Sequence, residues 1–336
     1  MLMQRCRDAE MQSKSKNLPR PLRERDKRSL RVRGCLACHK LGKIMYNKKS
    51  AVTIGAFDGV HKGHRFLISE TVKAAKMNGL KSVIVVLERP VKKVHGVLSL
   101  YDEKIEEIKR CGADEIIVIP VPSAALSEGP DEFFENFLMR GLRMSELICG
   151  ADFAFGKDRK GDIKWLRKKS GKSGVGLKIV KPLKAFSHKI SSSNIRSLIL
   201  NGDVKNAAKL LGRNYSFSGM PFKDRGVGTK MGFPTVNLNV DKAKLLPKGI
   251  YASLISDSKR IYPSVTSIGT RPTFSGTGAV IPETHILGFH GKWSKSKTKV
   301  ILLEKIRDEK KFETIDALKK QIRSDVIKAE KIFKGR

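Results

Sequence analysis

Gly55-Ala56-Phe57-Asp58-Gly59-Val60-His61-Lys62-Gly63-His64 is the stretch that decides how the first half of this chain folds. An apolar run at residues 51–54 precedes it, and Phe66, Leu67, Val72 and Ala75 follow at helical spacing up to Gly79. That grammar is strand, glycine-rich loop, helix. Further strand-length apolar runs at 83–87, 115–119 and 146–149 alternate with helical patterns near 102–110 and 131–140. Alternation of this kind predicts an α/β domain built on a doubly wound parallel sheet. A loop between the first strand and first helix is where such a sheet places its ligand. Glycines let backbone approach phosphate oxygens, the helix N-terminus offers unpaired N–H groups, and two histidines can donate hydrogen bonds. Read alone, the stretch would equally be a tight turn carrying two surface histidines.

Working outward, Ile190-Ser191-Ser192-Ser193-Asn194-Ile195-Arg196 opens a helical run with hydroxyls, free N–H groups and a guanidinium. An anion could be held there, although a serine before a helix most often serves only as its N-cap. Beyond about Leu211 the pattern changes to short strands broken by Gly and Pro (215–219, 250–255, 264–268, 284–289 and 299–303). This predicts an antiparallel barrel or sandwich. A final helix carrying Ile315, Leu318, Ile322, Val326 and Phe333 on one face, with Thr314 placed to cap it, should pack on that barrel.

Residues 1–46 are rich in Lys and Arg without sustained periodicity, so they read as a basic, poorly ordered extension. The expected organisation is therefore 1–46 extension, 47–207 α/β domain and 208–336 β domain. With 40% hydrophobic and 30% charged residues the composition is globular, and no apolar run reaches the roughly 20 residues of a membrane span. A secretory leader is not evident, so a cytoplasmic location is expected. Five cysteines, Cys6, Cys35, Cys38, Cys111 and Cys149, suggest reduced thiols. Cys35 and Cys38 form a lone C-x-x-C before His39, with no second pair to complete a zinc site. The formal charge of +35 would attract polyanions, but the basic residues are spread along the chain and do not form one stripe with aromatics, so a nucleic-acid partner is not expected.

Two further stretches complete the picture. Gly150-Ala151-Asp152-Phe153-Ala154-Phe155-Gly156-Lys157-Asp158-Arg159-Lys160-Gly161 lies between the two candidate anion segments. Gly226-Val227-Gly228-Thr229-Lys230-Met231-Gly232-Phe233-Pro234-Thr235-Val236-Asn237 sets Thr235 and Asn237 two apart, on one side of an extended strand. Together with Pro282-Glu283-Thr284-His285-Ile286-Leu287 and Gly269-Thr270-Arg271-Pro272-Thr273-Phe274, these resemble the bacterial bifunctional riboflavin kinase and FAD synthetase family from about Val52 to the C-terminus.

The resemblance implies an N-terminal Rossmann-like nucleotidyltransferase domain that adenylylates FMN and a C-terminal β-barrel kinase that phosphorylates riboflavin, both using ATP with Mg²⁺. In the first domain it implies ATP contacts at Gly55, Phe57, Gly63, Ser192, Ser193 and Arg196, chemistry at His61 and His64, and flavin contacts at Asp152, Phe155 and Arg159. In the second it implies ATP contacts at Gly226, Gly228, Thr235 and Asn237, metal ligation by Thr235 and Asn237, and Glu283 as the base for the ribityl hydroxyl. Ser193, Val236 and Gly288 replace the family's usual Thr, Ala and Asp, and Ser294 falls near its usual Tyr. After the second strand the family's F-x-P-H-P is replaced by Leu87-Glu88-Arg89-Pro90, with no histidine before His95. A kinase whose first module is impaired, or a nucleotidyltransferase with another acceptor, therefore stays open on the residues, and oligomeric state is not legible.

Overall fold

The computed structural model describes residues 31–34, 46–90, 96–121, 127–185, 188–223, 227–257, 260–271 and 279–335 of the chain. Strands β1 (Arg31–Gly34), β2 (Ser50–Gly55), β3 (Lys81–Leu87), β4 (Glu115–Ile119), β5 (Met144–Gly150) and β6 (Gly176–Val180) form one sheet in the order β1-β4-β3-β2-β5-β6. Every pairing in it is parallel. Helices α1 (Lys62–Met77), α2 (Tyr101–Lys109), a π-helical α3 (Phe133–Gly141) and α4 (Ile163–Ser173) connect the strands. Alternate residues of a strand face opposite sides, and both sides are covered here. Val52, Ile54, Leu147 and Cys149 pack with Phe133, Phe137 and Leu166 of α3 and α4, while Ala51 and Ile148 pack with Ala75 of α1.

Because β5 joins β2 on the side away from β3 and β4, the winding reverses between β2 and β5. Ligands of open α/β sheets bind beyond the carboxyl ends of strands at such a reversal. Gly55 and Gly150 end those two strands, so the loops that follow them border one crevice.

One sequence expectation changes. Residues 1–46 were expected to lie outside the fold, yet β1 pairs in parallel with β4, Arg31 opposite Glu115 and Gly34 opposite Val118. An edge strand presents unpaired N–H and C=O groups that accept any extended segment, and four residues are too few to show a period.

A short hairpin, β7 (Lys184–Ala185) and β8 (His188–Lys189), leads into α5 (Ser192–Leu200) and α6 (Val204–Leu211). The expected domain boundary after residue 207 falls inside α6. Buried residues of α5 and α6 share a core with Leu98 from the first module and with Tyr215, Phe217 and Leu245 from the second.

The second module is a closed antiparallel barrel of β9 (Ser216–Phe222), β10 (Thr235–Val240), β11 (Gly249–Ser256), β12 (Ile261–Arg271), β13 (Ala279–Ile286) and β14 (Thr298–Arg307), ordered β10-β13-β12-β11-β14-β9 with β9 returning to β10. Phe217, Leu238, Tyr251, Ile255, Ile268, Ile286, Val300 and Leu302 fill its interior. Four buried hydroxyls, Ser264, Ser253, Thr266 and Thr284, satisfy one another in a chain at 2.8, 2.7 and 3.0 Å.

Helix α7 (Ile315–Lys334) lies outside the barrel, and Thr314 caps it by accepting the Ala317 N–H at 3.2 Å. Ala329, Val326 and Phe333 pack on Ile250, Ala252 and Val265. Buried Asp325 locks the helix by accepting from Nε and Nη2 of Arg307 at 3.0 and 2.7 Å. Ile315, expected on the packed face, is 65% exposed, because packing begins a few turns further on.

Candidate active sites

The first site begins where β2 ends. Between Gly55 and α1 the backbone takes positive φ at Phe57 (47°), Gly59 (81°) and Val60 (38°). Non-glycine residues adopt such angles only where the surroundings over-determine them. Here the Phe57 and Val60 side chains are buried, and the Phe57 ring meets His64 edge-on at 5.2 Å.

His61 caps α1, its Nδ1 accepting the His64 N–H at 3.2 Å, and the two imidazoles stack 3.6 Å apart at 16°. A Cβ at Gly63 would meet the His61 ring at 3.2 Å, so glycine allows the stack. His64 Nδ1 is sequestered from solvent without a hydrogen-bond partner among the described residues. Burial, then the neighbouring His61 and Lys104, hold the His64 imidazole well below the ordinary 6.5. The ring is therefore neutral at physiological pH.

Asp58 ties this loop to two distant segments. Its Oδ1 accepts the N–H groups of Leu98 and Ser99 at 2.9 and 3.1 Å, and its Oδ2 accepts from Arg196 Nη2 at 2.9 Å. Its carbonyl accepts the Ser192 hydroxyl at 2.9 Å. Arg196 also donates from Nε to Gly96 O at 3.2 Å. Lys104 stands beneath the loop with 2% of its surface exposed.

A cleft of about 260 Å³ opens at the sheet reversal, and His61, Gly63, His64, Asp152 and Ser192 line it together with Ser191 and Lys181. Five of the expected residues thus converge. Gly55 and Phe57 lie behind them as the loop's foundation. Ser193 is exposed outside the lining, and Arg196 faces Asp58, because a buried carboxylate needs a counter-charge. Phe155 is packed in the core between Phe133 and Trp165, at 5.4 and 5.5 Å. Arg159 is exposed and donates to Asp152 O at 3.3 Å. Ser191 was read only as part of the helix-opening run, and Lys181 and Lys104 were missed. Lys181 could have been suspected from its place after a strand end; nothing local marks Lys104.

The second site is set by strand register. Thr235 stands opposite His285 and Asn237 opposite Glu283 across β10 and β13. Val236 and Leu238 turn inward, so Thr235, Asn237, Glu283 and His285 share the outer face of the barrel wall. Directly opposed residues have Cβ atoms about 5 Å apart.

The segment before β10 folds over this face. His285 Nδ1 lies 2.9 Å from Pro234 O, and the Phe233 ring meets His285 edge-on at 5.5 Å. In the helical turn Val227–Lys230, a Cβ at Gly228 would come within 2.5 Å of Phe233 O and 3.3 Å of Thr235 Oγ1, so only glycine lets the backbone approach. Asn237 is 6% exposed and its Oδ1 is sequestered without a partner among the described residues. A buried carbonyl oxygen left in this way, beside a hydroxyl and a carboxylate, suits a hard cation. Gly226, the C-x-x-C segment, His95 and residues 272–274 lie outside the described residues.

Comparison with known proteins assigns each module to a family model. Residues 43–194 match the FAD synthetase family model and residues 211–333 the riboflavin kinase family model. A bifunctional riboflavin kinase/FMN adenylyltransferase from Buchnera aphidicola subsp. Schizaphis graminum is 34% identical over 304 residues, spanning 88% of this chain and 97% of that relative. The chain belongs to the bifunctional riboflavin kinase/FMN adenylyltransferase family.

Another member of that family, from Escherichia coli K12, is 29% identical over 289 residues, covering 84% and 92% of the two chains. A solved structure described as a macrolide-efflux protein from Streptococcus pneumoniae superposes with a TM-score of 0.78 at 27% identity, over 89% of this chain and 98% of that one. Among the described residues no helix is long and apolar enough to cross a membrane.

Proposed function

We propose that this chain phosphorylates riboflavin to FMN at the barrel and adenylylates FMN to FAD at the sheet, with ATP as co-substrate of both steps. The observation that carries the reading is the register that sets Thr235 and Asn237 beside Glu283 on one outer face of the barrel. At the barrel, Glu283 accepts the proton of the ribityl hydroxyl as that oxygen attacks the terminal phosphorus of ATP, ADP leaving. Positioning and charge neutralisation supply most of the rate in such a transfer. Thr235 and Asn237 would hold a magnesium ion, which when bound neutralises phosphate charge.

At the sheet, the FMN phosphate attacks the α-phosphorus of ATP and pyrophosphate leaves. His61 and neutral His64 donate hydrogen bonds to phosphoryl oxygens as charge builds there, and the start of α5 with Ser191 and Ser192 receives the outer phosphates. Asp152 lines the same cleft from the loop after β5 and is assigned to the flavin. The sheet with its covering helices and the barrel with α7 are taken as the two catalytic modules, acting in the cytoplasm. Free Cys111 and Cys149 and the need for ATP favour that compartment.

The test is to incubate the purified chain with riboflavin, ATP and Mg²⁺ and resolve the three flavins chromatographically. FMN and FAD should both appear. Absence of FMN would contradict the kinase reading, and FMN without FAD would leave a kinase with an impaired first module.

A further inference from the structure

Lys104 is a lysine buried where no carboxylate is bonded to it. Its Nζ donates to three backbone carbonyls: Ala56 O at 3.0 Å, Leu87 O at 2.8 Å and Glu88 O at 2.9 Å. An ammonium has three N–H donors and no acceptor, so this cage satisfies it completely. The partners lie just past the carboxyl end of β2 and at the end of β3. Ala56 directly precedes the positive-φ turn at Phe57, and the Phe57 ring is the face on which His64 rests. Leu87 and Glu88 belong to the segment that departs from the family pattern.

Nothing else described ties those two strand ends to each other by a side chain. The same charge faces His64 from α2 while His61 faces it from α1, and both disfavour the imidazolium.

We propose that Lys104 is a positioning residue for adenylyl transfer, pinning the loop after β2 to the end of β3 and so fixing where the His61/His64 pair stands. This rests on the adenylyl-transfer reading above. Without the ammonium, three part-buried carbonyls lose their donor, the loop is free to relax its positive-φ turn, and the histidines drift from the phosphoryl centre. Displacement of this kind lowers the rate of the bound complex more than its formation. Among the described residues Lys104 bonds only to Ala56, Leu87 and Glu88, so the barrel site should not respond.

The experiment uses the full chain as wild type, Lys104→Met and Lys104→Arg, each assayed for FAD from FMN and ATP and for FMN from riboflavin and ATP. Lys104→Met should lose at least about tenfold in kcat for FAD, with KM for ATP within about threefold and FMN formation within about twofold of wild type. Lys104→Arg should recover part of the loss. The His64 imidazole, followed by NMR, should titrate at higher pH in Lys104→Met than in wild type and return toward wild type in Lys104→Arg, which restores the charge and N–H donors. If Lys104→Met does not fold, Lys104→Gln, which keeps two N–H donors without the charge, is held to the same criteria. A wild type that makes no FAD would overturn the adenylyl-transfer reading and this inference together. A wild type that makes FAD, with the substituted chain matching it or losing both activities in parallel, would overturn this inference alone.

Discussion

The two sites of this chain are built in opposite ways. At the sheet, the working loop is held by charges brought from far along the chain: Asp58 reaches Leu98, Ser99 and Arg196, and Lys104 reaches back to Ala56. At the barrel, one pairing register sets Asn237 against Glu283, and a segment only a few residues upstream, ending at Pro234, packs on the neighbouring His285. The first site is therefore a network of buried polar groups in which each member depends on the others. The second is a row of side chains on a wall whose position the closed barrel already guarantees. Removing a barrel side chain should cost chemistry and leave folding intact, whereas removing a network member should cost both.

The sharpest way to break that contrast is Glu283→Ala. FMN formation should fall by about 10²–10⁴-fold, the span of a lost general base, while FAD formation from supplied FMN stays near wild type in a flavin-resolved assay. His61→Ala should do the reverse, lowering FAD formation by about 10²–10³-fold with FMN formation retained. Asp58→Ala tests the network itself. It strands Arg196 and two N–H groups in a buried setting, so denaturant unfolding should show a loss of about 3–5 kcal/mol, and FAD formation should fall with it.

The smallest effect concerns pH. The folded His64 imidazole is held below the unfolded value, so between those two values unfolding takes up a proton. The stability it contributes is complete above 6.5 and is lost as pH falls through the folded value. FAD formation should accordingly fall much less between pH 7 and pH 5.5 than the roughly eightfold loss of neutral imidazole that a histidine with an ordinary value would suffer over that span.

How much of this was legible follows the same contrast. The sheet, its reversal and the His61/His64 loop could be read because apolar runs and glycines are local signals. Short strands left a barrel or a sandwich open and the family resemblance chose the barrel, while one apolar stripe placed the outer helix. Thr235 and Asn237 were visible as an i, i+2 pair, and their meeting with Glu283 is a consequence of barrel closure. Arg196 was read as an anion ligand because its engagement with Asp58 spans 138 residues and leaves no local trace. Phe155 was read as a flavin contact from its loop, but an aromatic between Phe133 and Trp165 is core, and that depends on how α3 and α4 cover the sheet. Strand β1 was missed because four residues carry no period.

The central claim is that one chain holds two separable sites joined only by a diffusible product. Mixing equal amounts of Glu283→Ala and His61→Ala and supplying riboflavin, ATP and Mg²⁺ tests it most directly. Neither variant alone should convert riboflavin to FAD, and the mixture should, because FMN released by the chain with an intact barrel site is taken up by the chain with an intact sheet site. A mixture that stays silent, or a single variant that has lost both steps, would contradict the account.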